Sequence, residues 1–217
     1  MDKKELPDLP DYTPEEERFN QLTHGVGAAF GLVAVPYLIY CASNGSWSVF
    51  WGALIFGCSF LLIFTASTLY HSFQDARIRH WLRILDHIAI YVMIAGSYTP
   101  FVLIYVNNAV GYTILAVLWL LTFIGIFFKL FYVGRFEKLS VGIYILMGWM
   151  LVFGARSFWE HLPGFTIWPI VIGGLLYTAG VIFYRWESLR HNHGIWHLFV
   201  LSASLFHFTA VYWSVIA

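Results

Sequence analysis

Seven stretches of about twenty apolar residues, joined by short polar segments, limit this chain to very few folds. They cover roughly 25–42, 49–71, 84–105, 110–131, 139–157, 165–184 and 193–216. A helix rising about 1.5 Å per residue needs about twenty residues to cross a hydrocarbon layer about 30 Å thick. The reading is therefore an all-α membrane protein, a seven-transmembrane helix bundle. Composition agrees, since 59% of the residues are hydrophobic, 11% are charged and the mean hydropathy is +0.70. An ordinary soluble domain is excluded. With 217 residues in all, the bundle leaves no room for a second folded domain. The expected organisation is a flexible acidic tail over 1–17 and a membrane domain over 18–217. Trp47, Trp51, Tyr70, Trp81, Trp159, Trp168 and Tyr184 fall near span ends, as an interfacial aromatic belt requires.

The basic residues orient the bundle. If the chain alternates through seven crossings, eleven of the twelve Lys and Arg residues lie on one side and only Arg156 on the other. Because cytoplasmic loops retain basic residues, the N-terminus is expected inside and the C-terminus outside. No basic n-region followed by a short apolar stretch precedes the first span, so that span itself is expected to direct insertion. Zero net charge without a dense basic cluster gives no sign of a nucleic-acid partner. Cys41 and Cys58 lack CxxC spacing and read as packing residues. Lys129, Arg135, Glu137 and Lys138 read as a loop and its flanks.

Histidine within an apolar span demands a reason. The last span opens with His193 and His197, four residues apart on one helix face and able to reach a single ion. The pair by itself is also consistent with satisfied core or interfacial histidines. The second span runs the other way and ends at His71, with Ser67 one turn before it, so His71 lies at the depth of His193 and His197. Three imidazoles at one depth suit a catalytic zinc with an open fourth position. The third span enters from the same side and carries Asp86, a carboxylate inside an apolar run. It needs a partner there: water on the metal, an imidazole, or Arg79 or Arg83. Asn20 and His24, again four apart, read as a hydrogen-bonded anchor at the start of the first span. Thr13-Pro14 with Glu16 reads as a capping box for that helix. His207 lies about 15 Å beyond His197 along the helix, too far for the same ion, and is expected to hydrogen-bond across the bundle.

The set Glu17-x-x-Asn20-x-x-Thr23-His24, Ser67-x-x-x-His71, Leu85-Asp86, Gly96-Ser-Tyr-Thr-Pro100 and His193-x-x-x-His197 with His207 resembles the haemolysin III proteins. These are the bacterial branch of the progestin and adiponectin receptor family. The resemblance extends over nearly the whole chain from Glu17 onward. It implies a multi-pass protein of the bacterial cell membrane with zinc near the cytoplasmic side, held by His71, His193 and His197. Ser67 and Asp86 complete the site, the aspartate contacting water on the zinc. The adiponectin receptors are linked to ceramide hydrolysis, and the wider superfamily includes alkaline ceramidases.

The function expected is zinc-dependent hydrolysis of a membrane lipid amide or ester, with Asp86 and Ser67 as the catalytic pair. Membrane lipids, and a lipid-like substrate or ligand in the bundle cavity, are the expected partners. A second reading is a receptor-like regulator of membrane lipid state in which zinc is structural. A third is a cytolysin, against which the short loops and retained topology argue. The long N-terminal domain of the animal receptors has no counterpart in this sequence, which argues against a hormone-receptor role.

Overall fold

The computed structural model describes residues 12–217. Residues 1–11, most of the segment expected as a flexible tail, lie outside the described residues. The described residues form helices and no strands. These are α1 (Pro14–Ala42), α2 (Trp47–Ser72), α3 (Ala76–Ile104), α4 (Ala109–Tyr132), α5 (Glu137–Gly148), a 3₁₀ turn (Met150–Gly154), α6 (Ala155–His161), α7 (Gly164–Arg185) and α8 (Asn192–Ile216). The segment from Glu137 to His161 counts as one crossing, which makes seven helices long and apolar enough to span a membrane.

Local chemistry sets where the first helices start. Thr13, Ser46, Asp75 and Asn108 each accept a backbone N–H at the start of α1, α2, α3 and α4, a cap worth about 1 kcal/mol apiece. The Thr13–Glu16 capping box is complete. It starts α1 at Pro14, so Glu15, Glu16 and Glu17 form the first turn of the helix instead of the end of the tail. With 29 residues, α1 is about 43 Å long, well beyond the hydrocarbon thickness of about 30 Å. Its first turns can therefore carry polar groups at the membrane boundary.

Packing departs from the sequence reading at four places. The fifth span is not one straight helix. It breaks after Gly148, and in lipid the freed backbone groups need partners. The Tyr98 hydroxyl supplies them, donating to the Gly148 carbonyl (2.7 Å) and accepting from the Leu151 N–H (3.0 Å). Lys129 does not flank a solvated loop but is fully buried. Gly134 (φ 81°) and Phe136 (φ 55°) turn the chain sharply, returning Glu137 to within 3.5 Å of the Lys129 ammonium. A buried lysine is tolerable only beside such a counter-charge. Tyr70 is buried and Tyr184 is half-buried, its ring tilted against Trp196 and His193, so neither belongs to the exposed belt with Trp47, Trp51, Trp81, Trp159 and Trp168. Cys58 is exposed on the lipid-facing surface instead of packed inside.

An elongated cavity of about 140 Å³ lies within the bundle. At the end nearest the N-terminus it touches Asp86, His193 and His197; at the other it reaches Phe158 and Leu162. Between these ends its wall is almost wholly apolar. His207 lines it midway and donates from Nε2 to the Ile170 carbonyl of α7 at 3.3 Å, the cross-bundle bond expected of it. Gly173 admits that contact, since a Cβ there would lie 2.6 Å from the His207 Nε2.

Candidate metal centre

Helix direction brings the three histidines together. α2 ends, and α8 begins, at the end of the bundle where α1 starts, so the last turn of α2 faces the first turns of α8. The ring centroids of His71 lie 5.2 Å from those of both His193 and His197, and the His193 and His197 centroids are 4.4 Å apart. One nitrogen from each of the three falls within 4.8 Å of the others. Nitrogens about 2.0–2.1 Å from a shared ion would be separated by less than that, so the three are near enough to be candidates for one ion. Among the described residues this is the one such group of three.

The hydrogen bonds show which nitrogens are free. His71 Nδ1 is 2.6 Å from the Glu17 carboxylate, and His197 Nδ1 is 3.2 Å from both the Asn20 carbonyl and the Thr23 hydroxyl. An Nδ1–H donated to a carboxylate or carbonyl leaves Nε2 as the lone-pair nitrogen and fixes the ring's direction. The Nε2 atoms of His71 and His193 are buried with no hydrogen-bond partner. Buried polar nitrogens are seldom left unpaired, and two in one cluster suit a cation. The donor set therefore fits a metal that accepts three neutral imidazoles.

Glu17 is the residue that sequence reasoning placed wrongly, by counting it with the tail. It is buried, and its second oxygen pairs with the Arg79 guanidinium. Arg79 thus serves Glu17 and not Asp86, for which it was one expected partner. The available signal was the spacing of Glu17, Asn20 and His24. Positions i, i+3 and i+7 form one helical stripe that continues the polar face of α1 into the membrane. Asn20 and His24 are buried, but no side-chain nitrogen or oxygen of either has a hydrogen-bond partner among the described residues, so the hydrogen-bonded anchor expected of them is not what their side chains form. His24 lies face to face with His197 (centroids 3.7 Å, 17° between planes) and outside the group of three. Gly194 makes this junction possible, because a Cβ there would collide with Phe19 and come within 3.0 Å of the Asn20 side-chain oxygen.

Asp86 is buried at the end of the cavity nearest the histidines, with His71 and Ser67 as neighbours. The Ser67 hydroxyl is fully buried beside that carboxylate. One side of the cluster thus offers an acceptor and a hydroxyl, and the apolar cavity opens beside them. Tyr12, just ahead of the α1 cap, lies over His71 and His193 from the N-terminal end. Burial pushes its phenol up, so the ring stays uncharged at neutral pH.

The sequence profile described as Haemolysin-III related matches residues 12–208. The chain is 43% identical over 198 residues to Hemolysin-3 of Bacillus cereus, covering 91% of this chain and 90% of that one. It is 40% identical over 195 residues to the Hemolysin-3 homolog of Bacillus subtilis (strain 168), covering 89% and 91%. It is 26% identical over 181 residues to the human monocyte to macrophage differentiation factor, covering 81% and 74%. A multi-pass cell-membrane protein is what these bacterial relatives and the seven spans together describe.

Proposed function

This chain belongs to the haemolysin-III-related family, and from that premise we propose that it is a zinc-dependent hydrolase of membrane lipid amides or esters. The observation that carries the proposal is the placement of the histidine cluster. Its unpartnered nitrogens lie beside Asp86 and Ser67 at the end of a long apolar cavity. His71, His193 and His197 would hold the ion, and zinc is the metal that three neutral imidazoles with an open fourth position suit best. When bound, zinc supplies a Lewis acid and lowers the pKa of coordinated water toward neutrality.

The protein's own groups do the rest. The apolar wall takes the acyl chain and excludes water from it, leaving the polar linkage at the end nearest the histidines. Asp86 accepts the proton of the attacking water, turning its lone pair toward the carbonyl carbon, and returns that proton to the leaving amine nitrogen or alcohol oxygen as the C–N or C–O bond breaks. Ser67, whose hydroxyl lies beside Asp86, donates to the carbonyl oxygen as charge develops there. Glu17 and the Asn20 carbonyl keep His71 and His197 in one tautomer throughout.

The test is a panel of N-acyl amides and esters given to the full chain in detergent or nanodiscs, with released fatty acid measured by mass spectrometry. Cleavage is expected to stop with chelator and return with zinc. If no amide or ester is cleaved by zinc-loaded protein, the hydrolase reading is wrong and a regulator built around a structural metal replaces it. The names of the Bacillus relatives raise lysis as another activity. The exposed Phe, Leu and Trp side chains around this bundle favour residence in its own membrane over release from it.

The proposed orientation puts the N-terminus and the metal centre on the cytoplasmic side, supported by the eleven-to-one distribution of basic residues. Reporter fusions check it: a C-terminal fusion is expected to report the outside. A cytoplasmic signal there would reverse the side from which the centre is reached.

A further inference from the structure

The three histidines are not held alike. His71 is fixed through Nδ1 by Glu17, and His197 through Nδ1 by the Asn20 carbonyl and Thr23. His193 makes no hydrogen bond among the described residues, and its Nε2 is buried without a partner. What surrounds it is rings: His197 at 4.4 Å and 62°, His71 at 5.2 Å and 55°, Tyr184 at 6.0 Å and 51°, and Tyr12 at 5.2 Å and 28°. Only Tyr12 approaches a parallel stack. Two of the other rings belong to the cluster itself and would shift with it, and Tyr184 is tilted and more distant.

Tyr12 is also well placed to stay where it is. It directly precedes Thr13, whose side chain and backbone are locked to Glu16 by the capping box. That lock sets the angle at which the chain enters α1 and brings the Tyr12 ring across the end of the bundle, where it also lies 6.0 Å from His71. A residue preceding a cap usually packs back on its own helix; this one packs on the start of α8.

We propose that Tyr12 is the positioning residue of His193, its ring face supplying the orientation that Glu17 and Asn20 supply to the other two histidines by hydrogen bonds. The inference rests on the reading that the three histidines hold a metal. A stacked ring resists rotation of the imidazole about its Cβ–Cγ bond, so without it His193 samples orientations in which its free nitrogen leaves the cluster. Loss of a group that orients a ligand lowers metal retention by about 10- to 100-fold.

The experiment is zinc release from the loaded full chain into excess chelator, with the absorption spectrum of the cobalt-substituted protein as a second readout. Tyr12→Ala and Tyr12→Leu are expected to release zinc about tenfold faster or more and to alter the cobalt spectrum, Leu because it restores apolar volume without a ring face. Tyr12→Phe is expected to match wild type in both. Thermal unfolding of the metal-free proteins is expected to fall for Tyr12→Ala, which loses buried volume, and to be similar for Tyr12→Leu and Tyr12→Phe, so faster release from Tyr12→Leu than from Tyr12→Phe separates orientation of His193 from general stability. Zinc release at the wild-type rate from Tyr12→Ala overturns the inference and leaves the metal centre standing. Equal acceleration by Tyr12→Phe overturns it too, in favour of the hydroxyl. A wild-type chain that takes up neither zinc nor cobalt overturns the centre itself, and this inference with it.

Discussion

Replacing His197 by alanine is expected to take bound zinc from one equivalent per chain to less than about a tenth, because two imidazoles do not hold the ion that three do. His71→Ala and His193→Ala should do the same. His197 carries the largest expected effect, since it is buried between His24 on one face and the rings of His71 and His193 on the other. Its loss opens a cavity as well as a coordination position. Stability should fall with the metal. A ligand present at about a thousand times its dissociation constant stabilises the folded state by about 4 kcal/mol. For a chain of this size that corresponds to a drop of about 8–16 °C in the unfolding midpoint. Glu17→Gln should sit between these variants and wild type. The amide still fills the space beside His71 but no longer offers a charged acceptor, and zinc affinity should weaken by about 10- to 100-fold. Elemental analysis of chelator-free preparations and thermal unfolding with and without zinc decide the matter. A stoichiometric metal in any of the three alanine variants would remove that histidine from the centre.

The second large effect is expected at Asp86, with the opposite signature. Asp86→Ala should retain most of the zinc, because the carboxylate lies outside the group of three that can share an ion, yet lower lipid hydrolysis by about 10²- to 10⁴-fold, the usual contribution of a positioned acid or base. Ser67→Ala should keep the metal too and lose about 10²-fold, as for one hydrogen-bond donor to a developing oxyanion. Metal content and turnover therefore separate the two sets of residues: the histidine variants lose both, the Asp86 and Ser67 variants only turnover. Full activity of Asp86→Ala on any lipid that wild type cleaves would sink the proposed mechanism.

Much of the candidate centre was legible because depth in a membrane is legible. The rise along a helix is fixed, so counting from the ends of α2 and α8 was enough to set His71, His193 and His197 level with one another. The capping box was legible for a similar reason, being a rule about neighbours three residues apart. Lys129 was not. A lysine within a turn of a polar segment reads as solvated, and nothing local announces that the turn at Gly134 and Phe136 folds Glu137 back over it. The break in the fifth span was equally silent. Gly148 alone does not end a helix, and the hydroxyl that satisfies the freed groups comes from Tyr98 on α3, 50 residues away in sequence.

By itself, then, the sequence determined the number of crossings, the common level of His71, His193 and His197 and the helix face each polar residue shares with its near neighbours, all of which follow from a constant rise and turn per residue. Tertiary structure alone decided how each helix is rotated about its axis and which helix lies beside it. In a soluble helix an apolar stripe reveals the inward face; here lipid and core are both apolar, so Phe60 and Phe64 are buried while Phe123 and Phe127 are exposed, with no difference in residue type to distinguish them. The same rotation turned Glu17 inward to His71 and Arg79 and laid Tyr12 over His193.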